Sequence, residues 1–247
     1  MILPKIKADL NAILSYNNPI MSLKNKLLER FRRIFKLRFA VLYPAGLWAL
    51  WVLRSNDDSF RYGAWIAAAG LVVRSWANGY AIKMDKLTTS GPYGFVRHPL
   101  YVGTLLILIG FTVILNSQWW GLLFVIVFLA VYLDTMRKEE RMLEDKFGDA
   151  YRAYRGQVPP LWPRFSPYAA GEKWPFAWER YWRSQEYKLI IWTIVLALVI
   201  YLREEWDEDP GVWSTRMLLA SASIVALALA DVVITAIRKS RSHPAHA

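Results

Sequence analysis

Apolar residues fall into six runs separated by polar segments, a pattern that predicts an all-α, polytopic membrane protein. The six predicted transmembrane helices are about 39–53, 62–76, 100–115, 119–135, 187–202 and 212–237. Runs of this kind favour helices because a helix satisfies its own backbone polar groups inside lipid. The second run is rich in Ala and Gly, which predicts close approach of neighbouring helix backbones.

The segment before the first run has a different periodicity. Between Ile20 and Leu37, apolar residues recur at spacings of three and four, and Lys and Arg fill the other positions. This pattern predicts a basic amphipathic helix within residues 1–38 that lies on an anionic membrane surface. A helix packed on the rest of the domain is the alternative, because amphipathicity alone does not name the partner.

These patterns divide the chain into four predicted regions. Residues 1–38 form the interfacial segment, and residues 39–165 form the membrane core. Residues 166–186 are an interfacial segment rich in Trp, and residues 187–247 add two further transmembrane helices and a tail. Trp at four-residue spacing beside Arg is typical of a short helix at the lipid interface.

The charge distribution orients the predicted helices. The net charge is +11, and Lys and Arg concentrate in residues 1–38, 78–99 and 135–186 and in the tail, whereas residues 204–209 are acidic. The positive-inside bias therefore places both termini in the cytoplasm. Membrane orientation explains the basic charge, so we expect membrane lipids and no nucleic acid as partners. We favour a bacterial inner membrane, with the endoplasmic reticulum membrane as the alternative.

Cysteine is absent, which excludes disulfides, thiolate catalysis and Cys-based metal sites, and no metal site is predicted. The strongest chemical signal is residues 88–103, which read T-T-S-G-P-Y-G-F-V-R-H-P-L-Y-V-G. Backbone broken by Gly and Pro beside a membrane helix is costly unless it lines a cavity or is buried in protein. Arg97 and His98 at this depth therefore indicate a functional site. An ordinary loop with an interfacial Arg and Tyr is the alternative.

A second motif follows the fourth apolar run. It reads E-E-x-x-L-x-x-x-F-G-x-x-Y-x-x-Y-x-x-x-V-P from Glu139 to Pro159. Together with the first motif, G-P-Y-x-x-V-R-H-P-x-Y-x-G, it resembles the isoprenylcysteine carboxyl methyltransferase family. Phospholipid N-methyltransferases are similar in the same region. The resemblance covers roughly residues 66–165.

This resemblance implies a membrane-embedded methyltransferase that uses S-adenosyl-L-methionine, with the donor site in residues 78–103 and 135–160. The implied donor contacts are Asn78, Leu87, Thr88, Tyr93, His98, Pro99, Leu100, Tyr101, Glu139 and Glu140. The implied catalytic residues are Arg97, His98 and Glu139. A lipidic or small apolar acceptor would enter from the bilayer and meet Arg97. Eukaryotic members carry an acceptor-binding arginine where this chain has Thr135, so Arg137 is the replacement candidate.

The residue chemistry agrees with methyl transfer but leaves the acceptor atom open. The reaction is an in-line displacement that depends on orientation and desolvation, so no protein nucleophile is required. Glu139 or Glu140 can hold the ammonium group of the donor. Neighbouring helical residues point about 100° apart, so we expect only Glu139 to face the pocket. Glu140 is then expected to face solvent or to pair with Arg137, Lys138 or Arg141.

Two other functions remain possible at this point. Sterol-reductase-type membrane oxidoreductases carry a related R-H-x-x-Y-x-G element and use NADPH. A non-enzymatic scaffold or transporter is the third reading, although a transporter should show paired, broken helices in two halves. Arg74 is predicted to be structural rather than catalytic, and the sequence does not predict the oligomeric state.

Overall fold

The computed structural model describes Trp48, residues 52–82 and residues 86–242, with side chains described as far as Arg238. The chain has two compact units, Met1–Val52 and Leu53–Ala247. In the first unit only Trp48 and Val52 are described, and both are helical and exposed. The predicted amphipathic helix in residues 1–38 and most of the predicted span 39–53 therefore lie outside the described residues.

The second unit is helical, and its described residues contain no strand, which confirms the all-α prediction for this part of the chain. Its helices are α1 (Asp57–Tyr80), α2 (Pro99–Ile114), α3 (Gln118–Phe147), α4 (Asp149–Gln157), α5 (Trp178–Ser184), α6 (Glu186–Glu208) and α7 (Thr215–Ser242). A 3₁₀ turn, Gly91–Gly94, lies between α1 and α2.

Among the described residues, fewer than six helices are long and apolar enough to cross a membrane. Two segments are long and apolar enough to cross a membrane, Gln118–Phe147 and Thr215–Arg238. A third is present if α5 and α6, which meet at 61°, form one broken span. Helix α2 is apolar but has 16 residues. Helix α1 has 24 residues, but its polar and small residues lower its mean hydropathy. The prediction of six spans therefore exceeds what the described helices support by length and composition.

Helices α1 and α2 pack antiparallel with their backbones almost in contact. A Cβ atom at Gly70 would lie 2.6 Å from the carbonyl oxygen of Gly103, and one at Gly63 would lie 2.5 Å from that of Gly110. Real Cβ atoms do not approach backbone oxygens this closely. The glycines therefore permit the short interhelical distance, as the Ala- and Gly-rich run predicts.

Replacing Gly70 by valine is expected to destabilise the protein by about 2–3 kcal/mol, because an added side chain forces the two backbones apart. Thermal unfolding in detergent would measure the loss. Gly156→Ala in α4 is the matched control, since nothing lies within 4 Å of a Cβ atom there. Alanine in a helix should stabilise by about 0.5–1 kcal/mol relative to glycine. A Gly70→Val protein as stable as the parent would show that the contact is not tight.

Helices α6 and α7 form a hairpin with its own apolar contact. Its members are Tyr187, Ile191 and Val195 of α6, packed against Ile224, Leu227 and Ile234 of α7. Within the hairpin, Asp231 lies 3.3 Å from the Trp192 indole nitrogen, which donates to it, and 3.9 Å from the Lys188 ammonium. The hairpin also contacts α1 at two places. Tyr201 in the C-terminal part of α6 packs against Phe60, and Glu186 at the N-terminal end of α6 contacts Arg74.

Candidate active site

Residues 91–98, here called the His98 loop, are held by backbone hydrogen bonds to the segment that follows α4. The Arg97 and His98 N–H groups donate to the carbonyl oxygens of Pro159 and Pro160 at 2.9 and 3.1 Å. The Tyr168 N–H returns a hydrogen bond to Gly94 at 2.8 Å. Pro99 then begins α2, where its missing N–H and fixed φ suit the first helical position. The loop conformation is thus fixed by the segment after α4 and by the start of α2.

The second motif reaches this loop because α3 continues well past its apolar part. The helix is capped by Gly148, whose φ of 53° is a positive value that glycine adopts more readily than other residues. The chain then turns back through α4, which buries Tyr151 and Tyr154. The Tyr154 hydroxyl donates to the Tyr93 carbonyl oxygen at 2.7 Å, which ties α4 to the His98 loop.

Glu140 lies inside this junction. Its Oε1 atom is 3.1 Å from Arg97 Nη1 and 3.2 Å from His98 Nε2. The side chains of Arg97 and Glu140 are only 10% and 12% exposed, and Arg155 approaches the other carboxylate oxygen at 3.9 Å. The prediction that Glu140 faces solvent or pairs with Arg137, Lys138 or Arg141 is therefore wrong. The His98 loop packs across two faces of α3, so both neighbouring carboxylates meet it.

Glu139 has a different environment from its neighbour. The Tyr101 hydroxyl donates to its Oε1 atom at 2.7 Å, and its Oε2 atom is 3.8 Å from His98 Nδ1. Its side chain is 41% exposed, compared with 12% for Glu140. The imidazole of His98 thus lies between the two carboxylates. The Glu139 carboxylate is therefore accessible to a ligand, whereas the Glu140 carboxylate is paired with Arg97 and approached by Arg155.

A cavity of about 670 Å³ opens beside these groups, within the size range of small-molecule sites. The predicted residues that line it are Leu87, Thr88, Tyr93, Arg97, His98, Pro99, Leu100, Tyr101 and Glu139. Asn78, Arg137 and Glu140 lie outside this lining. Asn78 is buried and donates to the Arg74 carbonyl oxygen in its own helix, and Arg137 is exposed on the surface of α3. The structure therefore brings most, but not all, of the predicted site together.

The lining also includes residues that the sequence did not indicate as ligands. They are Arg74, Ala81, Ile82, Lys86, Thr104, Tyr132, Met142, Leu143, Tyr151 and Tyr154. With Tyr93 and Tyr101, five tyrosines line the cavity. Tyr132 lies seven residues before Glu139, on the same helical face, and its ring centroid is 5.1 Å from that of Tyr101. The seven-residue spacing between Tyr132 and Glu139 could have identified Tyr132 as a lining residue from the sequence.

Burial disfavours the charged forms of the histidine and of three tyrosines around the cavity. It lowers the pKa of His98, although the hydrogen bond and charge of Glu140 act in the opposite direction. Burial also raises the pKa of the Tyr151 hydroxyl to about 12 and raises the pKa values of Tyr93 and Tyr154. The cavity wall thus presents neutral aromatic hydroxyls and an imidazole beside the Glu139 side chain.

The lowered pKa of His98 predicts a stability that falls in mild acid. Below about pH 6.5 the unfolded chain binds a proton at this histidine, whereas the folded chain resists protonation until its lower pKa is reached. The unfolded state then holds more protons, so the free energy of unfolding drops as pH falls through this window. We expect the difference in Tm between pH 7.5 and pH 5.5 to shrink in His98→Gln, and an unchanged difference would contradict the assignment.

Comparison with known proteins identifies relatives of the segment that builds this site. Residues 64–150 match the family described as phospholipid methyltransferase. The cobalt-zinc-cadmium resistance protein CzcN of Cupriavidus metallidurans is 30% identical over 140 residues, which are 56% of this chain and 62% of that protein. The protein-S-isoprenylcysteine O-methyltransferase of Schizosaccharomyces pombe is 36% identical over 96 residues, which are 36% of this chain and 41% of that protein.

The rat protein-S-isoprenylcysteine O-methyltransferase is 25% identical over 148 residues, which are 51% of this chain and 52% of that protein. Each alignment thus spans less than two thirds of the relative's own length. No solved structure matches the chain significantly. The shared segment contains the His98 loop and the Glu139–Glu140 pair. Over this segment the chain is similar to the phospholipid methyltransferase family and to proteins named protein-S-isoprenylcysteine O-methyltransferase.

Proposed function

We propose that this protein is a membrane methyltransferase that transfers a methyl group from S-adenosyl-L-methionine to a lipidic or small apolar acceptor. The observation that carries the proposal is the meeting of the two motifs around a single cavity. His98 and Tyr101 from the first motif and Glu139 from the second all line it, and polar contacts join them. Relatives that match this segment are named as methyltransferases.

The side chains of the cavity fit a cationic donor. S-adenosyl-L-methionine carries a positive sulfonium and an ammonium group, and when bound it supplies an electrophilic methyl group. Glu139 offers an accessible carboxylate oxygen, and a charge-assisted hydrogen bond to an ammonium is stronger than a neutral one. The tyrosine rings add faces that attract cations. Leu87, Thr88 and the first turn of α2 provide the adjoining wall for the nucleoside.

Arg97 is the proposed group for a carboxylate of the donor or the acceptor. Its side chain is nine-tenths buried and lines the cavity, and its Nε and Nη1 atoms lack a hydrogen bond of good geometry. The Glu140 Oε1 atom, 3.1 Å from Nη1, partly neutralises the charge of Arg97 but does not form a well-oriented hydrogen bond with these N–H groups. A planar guanidinium with free N–H groups is suited to binding a carboxylate.

His98 is the proposed proton acceptor where the methylated atom bears a proton. A carboxylate only accepts hydrogen bonds, so we infer that His98 Nε2 carries the proton that faces Glu140. Nδ1 is then the unprotonated nitrogen and is oriented toward the Glu139 side of the cavity. A thiol or an ammonium acceptor would lose its proton to this atom, whereas a carboxylate acceptor needs no base.

The location of the reaction follows from the same proposal. We place the site at the cytoplasmic side of a multi-pass protein of a bacterial inner membrane, with the acceptor entering from the bilayer. Here α1 and the shorter α2 would be two further spans that complete the bundle. Arg137 is exposed outside the cavity lining, so its proposed role in acceptor binding requires an acceptor that extends beyond the cavity.

Labelled methyl transfer tests the proposed function. The purified full chain is incubated with methyl-labelled S-adenosyl-L-methionine and a total lipid extract, and the labelled product is identified by mass. Saturable binding of S-adenosyl-L-methionine with transfer to a lipid-soluble product is the expected result. Saturable binding of NADPH, without binding of S-adenosyl-L-methionine, would assign the chain to the membrane reductases instead. Binding of neither would favour a non-enzymatic role.

A further inference from the structure

An ion pair joins the C-terminal hairpin to the wall of the cavity. Glu186 is the first residue of α6 and is 5% exposed. Arg74 of α1 donates to both of its carboxylate oxygens, from Nε to Oε1 at 2.6 Å and from Nη2 to Oε2 at 3.2 Å. Arg74 also lines the cavity, whereas Glu186 belongs to the segment beyond residues 64–150.

Arg74 uses its remaining donors on the first turn of α2. Its Nη1 atom donates to the Leu100 carbonyl oxygen at 3.2 Å and to the Thr104 hydroxyl. Most of the five N–H groups of this guanidinium are therefore occupied by protein atoms. Arg74 is consequently poorly suited to bind a ligand, but it is well suited to fix the helix turn that carries Tyr101.

The chain geometry accounts for the inward direction of Glu186. Helices α5 and α6 meet at a bend of 61°, and Gln185 between them has a φ of 59°, in the left-handed region. The bend places the N-terminal end of α6 against α1. The positive end of the helix dipole favours a carboxylate at this position, which offsets part of the cost of burying it.

We propose that Glu186 is a positioning residue for the donor site, acting through Arg74 on the first turn of α2. On this view the α6–α7 hairpin helps to hold the donor site in its binding geometry. The chain of contacts runs from Glu186 to Arg74, then to Leu100 and Thr104, and so to the adjacent Tyr101 that holds Glu139. Naming S-adenosyl-L-methionine as the ligand rests on the proposed function, but the effect on α2 does not.

The experiment uses the full chain and three variants, Glu186→Gln, Glu186→Ala and the double variant Arg74→Met with Glu186→Met. Two quantities are measured, the Kd for S-adenosyl-L-methionine and the hydrogen exchange of the Tyr101 and Val102 amides. Both amides donate to the His98 carbonyl oxygen at 3.1 Å, so they report on the first turn of α2. We expect Kd to rise at least about tenfold and exchange at least about fivefold in all three variants.

The double variant separates positioning from stability. Removing both charges leaves no uncompensated buried ion, so its Tm should approach that of the parent. The Kd should nevertheless stay high, because Leu100 and Thr104 have lost the hydrogen bonds that Arg74 donates. Recovery of both Tm and Kd in the double variant would mean that the pair only stabilises the fold and would overturn the proposal.

Asp231→Asn is the control, since it breaks a polar contact within the same hairpin away from the cavity. We expect less than about a twofold change in Kd there, because Asp231 contacts neither α2 nor the cavity lining. A parent protein that does not bind S-adenosyl-L-methionine would refute the proposed function, and exchange alone would then decide the positioning role. Exchange at the parental rate in all three variants, or faster exchange with unchanged donor affinity, would refute positioning by Glu186.

Discussion

Glu139→Gln is expected to raise the Kd for S-adenosyl-L-methionine by about 10- to 100-fold and to lower methyl transfer at least as much. The substitution keeps the shape of the side chain and a partner for the Tyr101 hydroxyl, which now lies 2.7 Å from Oε1. It removes the negative charge from the wall that faces the ammonium and sulfonium groups of the donor. Hydrogen bonds to charged groups contribute about 1.5–3 kcal/mol, which sets this range. Isothermal titration calorimetry would measure the binding.

Asp134→Asn is the matched control for this prediction. Asp134 lies on the same helix and pairs with Lys138 at 2.7 Å, with its side chain about half exposed and outside the cavity lining. Neutralising it changes the net charge of the protein by the same amount, so we expect binding to change by less than about twofold. Equal losses in the two variants would mean that the overall charge, rather than Glu139, attracts the donor.

Several residues of this site could be predicted because they lie in two short motifs that follow each other along the sequence. His98, Tyr101 and Glu139 could be chosen because a broken loop beside an apolar run and an acidic helix end have defined chemistry. The environment of Glu140 could not be predicted. Helical periodicity gives the angle between two side chains, but not the position of the segment that packs against them. The His98 loop packs against both side chains, although they leave α3 in different directions.

The contact between Arg74 and Glu186 shows a second limit. The two residues are 112 positions apart, and nothing in either local pattern indicates a partner. Arg74 was predicted to be structural, and its link to the hairpin depends on the bend between α5 and α6. The number of spans is also hard to count from the sequence. Helix α1 is long enough for a span, but its charged and small residues, which include the glycines that contact α2, lower the hydropathy that a span count uses.

Arg97→Met is expected to reduce methyl transfer by about 10²- to 10⁴-fold, a range typical of losing a group that orients and stabilises the reacting partners. It should also destabilise the fold by about 3–5 kcal/mol, because Glu140 would remain buried without its guanidinium partner. The Glu140 side chain is only 12% exposed, so water cannot fully replace that partner. Initial rates and thermal unfolding measure the two effects.

A double variant, Arg97→Met with Glu140→Gln, separates these effects. It leaves no uncompensated buried charge, so most of the lost stability should return, while the rate stays low because the Arg97 guanidinium is missing from the cavity lining. Arg97→Lys supplies the charge without the planar fork and should recover only part of the rate. If the double variant regains both stability and the parental rate, Arg97 serves only to neutralise Glu140. The carboxylate-binding role proposed for Arg97 would then be wrong, and the donor would have to be held by Glu139 and the tyrosines alone.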